Sequence, residues 1–353
     1  MKNISFDKVG YPRIYTIHSQ KGGVGKTSVA LAIAGISGAI GKKTLLIDAD
    51  MTGASIADLP GMECEQGNSA KWFNELILEK PNKFAIITSI TPASKVSESM
   101  LEAKFCRKTA NHESVYFIPS NAKPEAVQTI VPLIAQEDHL HFFRHRIEDI
   151  IAAAIRTGFE MIILDHSPGL FGFSKTSLEM SLEWSLPQDK TNHRLRYLIN
   201  GIIVKRKKVN PSLQALLVSS FEPHDYRAVL ASFSHVLGRL NSTHKIKENQ
   251  LPKFFKNSFR MIFNRAKKVS DSIEEVDKVL SNIGYLTPEL KQMIEDHERE
   301  FGIRLAPEID DFSMGDICSN AKAFVSRDKY GTADGKWEDW FRTLAYRARL
   351  IKE

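Results

Sequence analysis

The residues best suited to chemistry lie in one run, Lys21-Gly22-Gly23-Val24-Gly25-Lys26-Thr27-Ser28. Glycine at 22, 23 and 25 lets backbone N–H groups converge on an anion with no Cβ in the way. A helix starting near Lys26 would aim the positive end of its dipole at the same anion. In such a loop Lys26 holds the β- and γ-phosphates of a nucleotide, and the Thr27 hydroxyl supplies a ligand to Mg²⁺. The chemistry expected is phosphate binding with phosphoryl transfer. The common G-x4-G-K-[ST] form has Gly at position 20, where this chain has Gln20.

A phosphate loop needs a strand before it and a helix after it. Residues 13–18 alternate as a strand, residues 27–41 continue as a small-residue helix, and Thr44-Leu45-Leu46-Ile47-Asp48 is a short apolar run ending in a carboxylate. Strand, turn, helix, strand with little alternation implies a parallel sheet buried on both faces. Further strands are expected at 84–90, 115–119, 161–165, 213–219 and 260–264, with helices at about 133–156, 225–240 and 337–350. The fold class expected is α/β, a mostly parallel central sheet flanked by helices, in one domain spanning 1–353. Residues 189–211 and 241–252 are polar, basic and poorly periodic, and read as surface insertions on that sheet.

The chain has 353 residues, 42% hydrophobic and 25% charged, which excludes disordered and collagen-like classes. Three scattered cysteines (Cys64, Cys106, Cys318) without a CxxC pair fit a reducing compartment rather than a disulfide scaffold. With no apolar leader in residues 1–13 and no apolar run approaching the ~20 residues of a membrane span, the expectation is a cytoplasmic protein.

Residues 19–28 closely resemble the deviant Walker A motif of the ParA/MinD superfamily of P-loop ATPases, in the Gln-Lys-Gly-Gly-Val-Gly-Lys-Thr form of its ParA-like branch. The resemblance implies ATP and Mg²⁺ as cofactors, with Gly22, Gly23, Val24, Gly25, Lys26, Thr27 and Ser28 around the phosphates. It implies that Lys21 crosses an ATP-sandwiched homodimer to the partner's nucleotide. Ile47-Asp48-Ala49-Asp50 matches the family's D-x-D, so Asp50 would position the attacking water and Asp48 would lie near the metal. Residues 163–168 look like the Walker B strand and second switch, with Asp165 supporting Mg²⁺ through water. Asp50-Met51-Thr52 departs from the usual D-P-Q, and Pro168-Gly169 replaces the paired prolines. Ile262-Phe263-Asn264-Arg265 resembles the strand end that reads adenine, a task for which the Asn264 amide both donates and accepts; an ordinary strand-terminating Asn is the other reading.

The net charge of +6 is concentrated. Lys205, Arg206, Lys207 and Lys208 carry +4, residues 245–268 carry +7, and the remainder is −5. Lys253, Lys256 and Arg260 interleave with Phe254, Phe255 and Phe259, as a phosphate-backbone contact surface would. The plainer reading is a solvated loop whose Phe residues enter the core. The resemblance favours nonspecific DNA and an adaptor protein that stimulates hydrolysis, with nucleoid association. Residues 189–257 do not match compact partition ATPases. Trp337, Trp340, Phe341, Leu344, Ala348 and Ile351 form a stripe that either meets a membrane or closes the core. His139, His141 and His145 lack a matching carboxylate or cysteine set for a metal. The functional expectation is a nucleotide switch that positions a cargo on DNA; the alternative is a related switch acting on a membrane or a dedicated protein partner without DNA.

Overall fold

The computed structural model describes residues 12–53, 56–58, 72–78, 107–109, 112–136, 139–186, 193–204, 207–208, 210–220, 223–244, 259–266, 305–307, 317, 320–322, 325, 335–348 and 350. In chain order its elements are β1 (Arg13–His18), α1 (Lys26–Ala39), β2 (Thr44–Ala49), α2 (Phe73–Leu78), β3 (Arg107–Thr109), β4 (His112–Ile118), α3 (Pro124–Ala135), α4 (Leu140–Arg156) and β5 (Met161–His166). There follow α5 (Gly172–Trp184), α6 (Arg194–Ile199), β6 (Ile203–Val204), β7 (Lys207–Lys208), β8 (Ser212–Ser220), α7 (Pro223–His244), β9 (Phe259–Ala266), β10 (Leu305–Pro307) and α8 (Gly335–Arg347).

The main sheet has the order β10-β9-β8-β1-β5-β2-β4-β3. Every pairing in it is parallel except the edge strand β3, which runs antiparallel to β4. This is the doubly covered α/β sheet the apolar runs imply. Alternate residues of each strand feed opposite layers. Tyr15, Ile17, Leu46 and Ile163 pack with α1 and α8, whereas Ile14, Leu45, Ile47 and Leu164 pack with α2, α4, α5 and α6.

Two expectations change. The helix expected at 133–156 is two helices, because Gln136 adopts an extended backbone (φ −84°, ψ 122°) and ends α3. The polar run 136–138 offers nothing to bury there, and a new helix begins at Leu140. Within 189–211 the described residues hold a helix and two short strands, where the polar, poorly periodic sequence suggests neither. Leu195 and Ile199 of α6 are buried against α4, and β6 pairs with β7 as a separate two-stranded ribbon. The strand expected at 84–90 lies outside the described residues, as does the segment 245–258.

The aromatic stripe of α8 closes the core. Trp340, Phe341, Leu344, Ala345, Ala348 and Leu350 are buried against α1 and the sheet, each large side chain contributing about 1.5–3 kcal/mol by leaving water. That face is therefore not free for a bilayer. Among the described residues no helix is long and apolar enough to cross a membrane.

Candidate active site

Three parallel strands, β1, β5 and β2, lie side by side at the centre of the sheet and deliver the motif residues at their C-terminal ends. Such ends are where open α/β sheets bind ligands. The register sets Asp48 opposite Asp165 and Ile17 opposite Asp165, so the loop after β1 stands over both carboxylates. Gly23 and Gly25 take φ of 76° and 88°, a left-handed backbone that disfavours side chains. A Cβ on Gly25 would also lie 2.0 Å from Asn264 Nδ2.

Lys26 opens α1 and is buried. The Thr27 hydroxyl donates to Asp165 Oδ2 at 2.6 Å. Asp165 Oδ1 is buried with no hydrogen-bond partner among the described residues. Burial pushes the Asp165 carboxyl up to about 6, with Lys26 and Thr27 opposing and Asp50 adding to the rise. Asp48 is pushed up to about 7, chiefly by burial; the Ile56 N–H opposes, and Asp165 and Asp50 add like charge. Two buried carboxylates beside the Thr27 hydroxyl, one with an oxygen that no described residue meets, suit a hard divalent cation that takes oxygen ligands. Thr27 would hold Mg²⁺ directly, with Asp165 and Asp48 behind it. Once bound, the ion neutralises charge on the transferring phosphoryl oxygens.

The second switch follows β5 and is fastened to the phosphate loop. The Gly169 N–H donates to the Ser19 carbonyl at 2.8 Å, and Gln20 Oε1 accepts from the Leu170 N–H at 3.2 Å and the Ser232 hydroxyl at 3.0 Å. Gln20 thus joins that switch to α7. Lys21 is 58% exposed and its ammonium lies 3.2 Å from Asp225 at the start of α7. Burial would raise the Asp225 carboxyl, but the Ser220 hydroxyl and Lys21 hold it below the usual range.

Beneath the loop, His18 and His166 stack with ring centroids 4.7 Å apart and planes 5° apart. His18 Nδ1 pairs with the Ser174 hydroxyl at 3.0 Å. Burial holds both imidazoles down, His166 to about 3, with Lys26 adding to the effect. Both rings are therefore neutral at pH 7.

Asn264 arrives from β9. Its Nδ2 donates to the Val24 carbonyl at 3.1 Å, and its Oδ1 accepts from Trp340 Nε1 at 3.1 Å. One N–H and one lone pair of the amide remain beyond these contacts. The phosphate loop is thereby tied to α8, a role the motif did not reveal.

Sequence reading missed Gln20, Asp225, Ser120 and the histidine stack. Only the position of Gln20, next to the motif, offered a signal. One expected residue is corrected: Arg260 sits in β9 at 2% exposure, walled into the sheet, and cannot meet a phosphate backbone. Lys207 and Lys208 lie on β7, while Lys205, Arg206, Lys253 and Lys256 lie outside the described residues. Among the described residues no group of three or more His, Cys, Asp or Glu is placed to hold a metal ion, and His141 and His145 are simply neighbours on α4.

A family model described as AAA domain, AAA_31, matches residues 12–219. The chain belongs to that family. With its deviant Walker A loop it is a P-loop ATPase of the ParA/MinD superfamily. Solved structures of similar fold include the cell division ATPase MinD of Pyrococcus furiosus, at 15% identity and TM-score 0.50, covering 95% of this chain and 98% of that one. The ATP complex of a Cyanothece McdA variant is similar at 17% identity and TM-score 0.50, covering 98% and 99%. No curated protein sequence matches the chain.

Proposed function

We propose that this chain is a ParA-like switch: an ATP-bound homodimer that holds nonspecific DNA, positions a cargo, and is released when an adaptor protein stimulates hydrolysis to ADP and phosphate. The observation that carries the reading is Lys21. It belongs to the same loop as the buried Lys26, yet its ammonium is exposed and, among the described residues, pairs only with Asp225. A lysine so placed is free to leave for the nucleotide of a second copy, as the family resemblance implies. Supplying that charge in trans makes hydrolysis depend on assembly, because the transferring phosphoryl group reacts through positioning and charge neutralisation. Asp50 then acts by orienting the water, since phosphoryl transfer is driven almost entirely by positioning and charge stabilisation.

The DNA contact rests on the charge of Lys205, Arg206, Lys207, Lys208, Lys253 and Lys256. Fluorescence anisotropy of labelled random-sequence duplex, with ATP, ADP or no nucleotide across a salt series, tests it. ATP-dependent binding that weakens steeply with salt is expected. Binding in no nucleotide state would discard DNA and leave a switch acting on a dedicated protein partner. That second reading is favoured over a membrane because the stripe of α8 is already buried.

A further inference from the structure

Asp50 does not sit loosely at the end of β2. Its Oδ1 accepts four hydrogen bonds: from the Thr52 N–H at 3.1 Å, the Thr52 hydroxyl at 3.0 Å, the Gly53 N–H at 2.9 Å and the Ser167 hydroxyl at 2.9 Å. The backbone is pinned as well, with the Asp50 N–H donating to Asp48 Oδ1 at 3.1 Å and the Asp50 carbonyl accepting from Ser120 at 2.7 Å. No described residue donates to Oδ2. The carboxylate lies flat against Gly53, where a Cβ would come within 2.7 Å of Oδ2. Two of the four donors are backbone groups of a tight turn, one of them on Gly53, where a side chain would crowd the carboxylate. The other two are hydroxyls: Thr52, standing where the resembled motif has Gln, and Ser167, which follows the Walker B strand.

We propose that Thr52 and Ser167 are positioning residues for hydrolysis. Together they saturate Oδ1 and fix the carboxylate plane, leaving Oδ2 as the oxygen that accepts a hydrogen bond from the attacking water. The inference rests on the reading of Asp50 as the residue that orients water. In that step the water oxygen bonds to the γ-phosphorus as the bond to the β–γ bridging oxygen breaks, and that electron pair stays on ADP. Both water protons remain on the released phosphate as H₂PO₄⁻, so Asp50 accepts only a hydrogen bond and ends unprotonated. Because Ser167 belongs to the second switch, Asp50 is aligned only while that switch holds its present place. A displacement of the switch removes the Ser167 donor and lets the carboxylate turn, so alignment of the water is coupled to whatever moves residues 167–170.

The test is steady-state ATP hydrolysis by the full chain with Mg²⁺, alongside titration of a fluorescent ATP analogue for affinity. The variants are Ser167→Ala, Ser167→Thr, Thr52→Ala, Asp50→Ala and Asp50→Ala with Ser167→Ala. Ser167→Ala is expected to lower kcat about tenfold, the rate equivalent of one hydrogen bond to a charged group. Its nucleotide affinity should stay within about twofold, since the lost interaction acts in the reaction rather than in binding. Ser167→Thr, which keeps the hydroxyl, restores most of the rate. Thr52→Ala, at an exposed position that tolerates truncation, lowers kcat in the same sense and guards against a folding defect in the Ser167 variant. Adding Ser167→Ala to Asp50→Ala has no further effect, because the donor then has no carboxylate to align. Full activity in both hydroxyl variants with Asp50→Ala inactive overturns this proposal alone. Full activity in Asp50→Ala overturns the parent reading and the proposal with it. Loss of affinity in step with rate shows a structural role and also overturns it.

Discussion

Two clusters of buried charge among the described residues are built in opposite ways. Between α4, α5 and α6, Arg194 bonds Glu148 at 3.3 Å and Asp149 at 2.6 Å, while Arg144 bonds Glu148 at 3.3 Å and also Glu183. Burial would raise Glu183, but Arg144 holds it below the ordinary carboxylate range. Under the phosphate loop the carboxylates of Asp48 and Asp165 crowd one another, both are pushed up, and Asp165 Oδ1 has no partner among the described residues. In the first cluster every carboxylate meets an arginine, although Asp149 Oδ2 is buried without a hydrogen-bond partner among the described residues, and the pairs staple α6 to α4. The second gathers like charge that Lys26 only partly offsets, a balance that a divalent cation would improve. A buried charge with its partners present is architecture, and one without them marks where a ligand belongs.

The largest break in this comparison comes from Lys26→Ala. It removes the cation closest to the second cluster, and nucleotide binding is expected to disappear from a calorimetric titration. Retained tight binding would show that the loop is only a turn. Arg194→Met acts on the other cluster. Leaving Glu148 and Asp149 short of a partner costs about 2 kcal/mol, less than the 3–5 typical of fully buried pairs because Arg194 is partly solvated. Urea unfolding reads the loss, and nucleotide affinity should not change. A fall in affinity would mean the two clusters are coupled.

The pH dependence of stability sharpens the contrast. In the nucleotide-free chain Asp48 and Asp165 bind protons more tightly folded than unfolded. Their contribution therefore falls as pH rises from about 4 to about 7. His166 binds its proton more weakly when folded, so its contribution rises with pH from about 3 to about 6.5. His18, also held down by burial, adds to that second limb, so His166→Phe removes part of it and leaves the first. Between about pH 4.5 and 6.5 the urea midpoint of the variant should therefore gain less, or lose more, with rising pH than that of the parent. Equal slopes would show that the stacked imidazole is not held neutral by the fold.

Much of this was legible in the chain. Gly22, Gly23 and Gly25 before Lys26 announce a phosphate loop because backbone geometry demands them, and Leu45, Leu46 and Ile47 announce burial on both faces because consecutive apolar residues of a strand point to opposite sides. The hidden parts are long-range. Nothing local marks Asp225 as the seat of Lys21, or Ser167 as a donor to Asp50, since each pairing exists only once distant strands lie side by side. The break at Gln136 was missed because a run of apolar residues on both sides masks one residue leaving helical geometry. Arg260 was misread for a related reason: its neighbours are cationic in sequence, but β9 carries it into the sheet.

The central claim is that ATP, through Lys21 and Asp50, governs assembly. Light scattering of Asp50→Ala with ATP and Mg²⁺, compared with ADP, tests it most directly. The account predicts a mass twice that of one chain with ATP and a single-chain mass with ADP, the stalled reaction preserving the dimer. A single-chain mass with both nucleotides would contradict it.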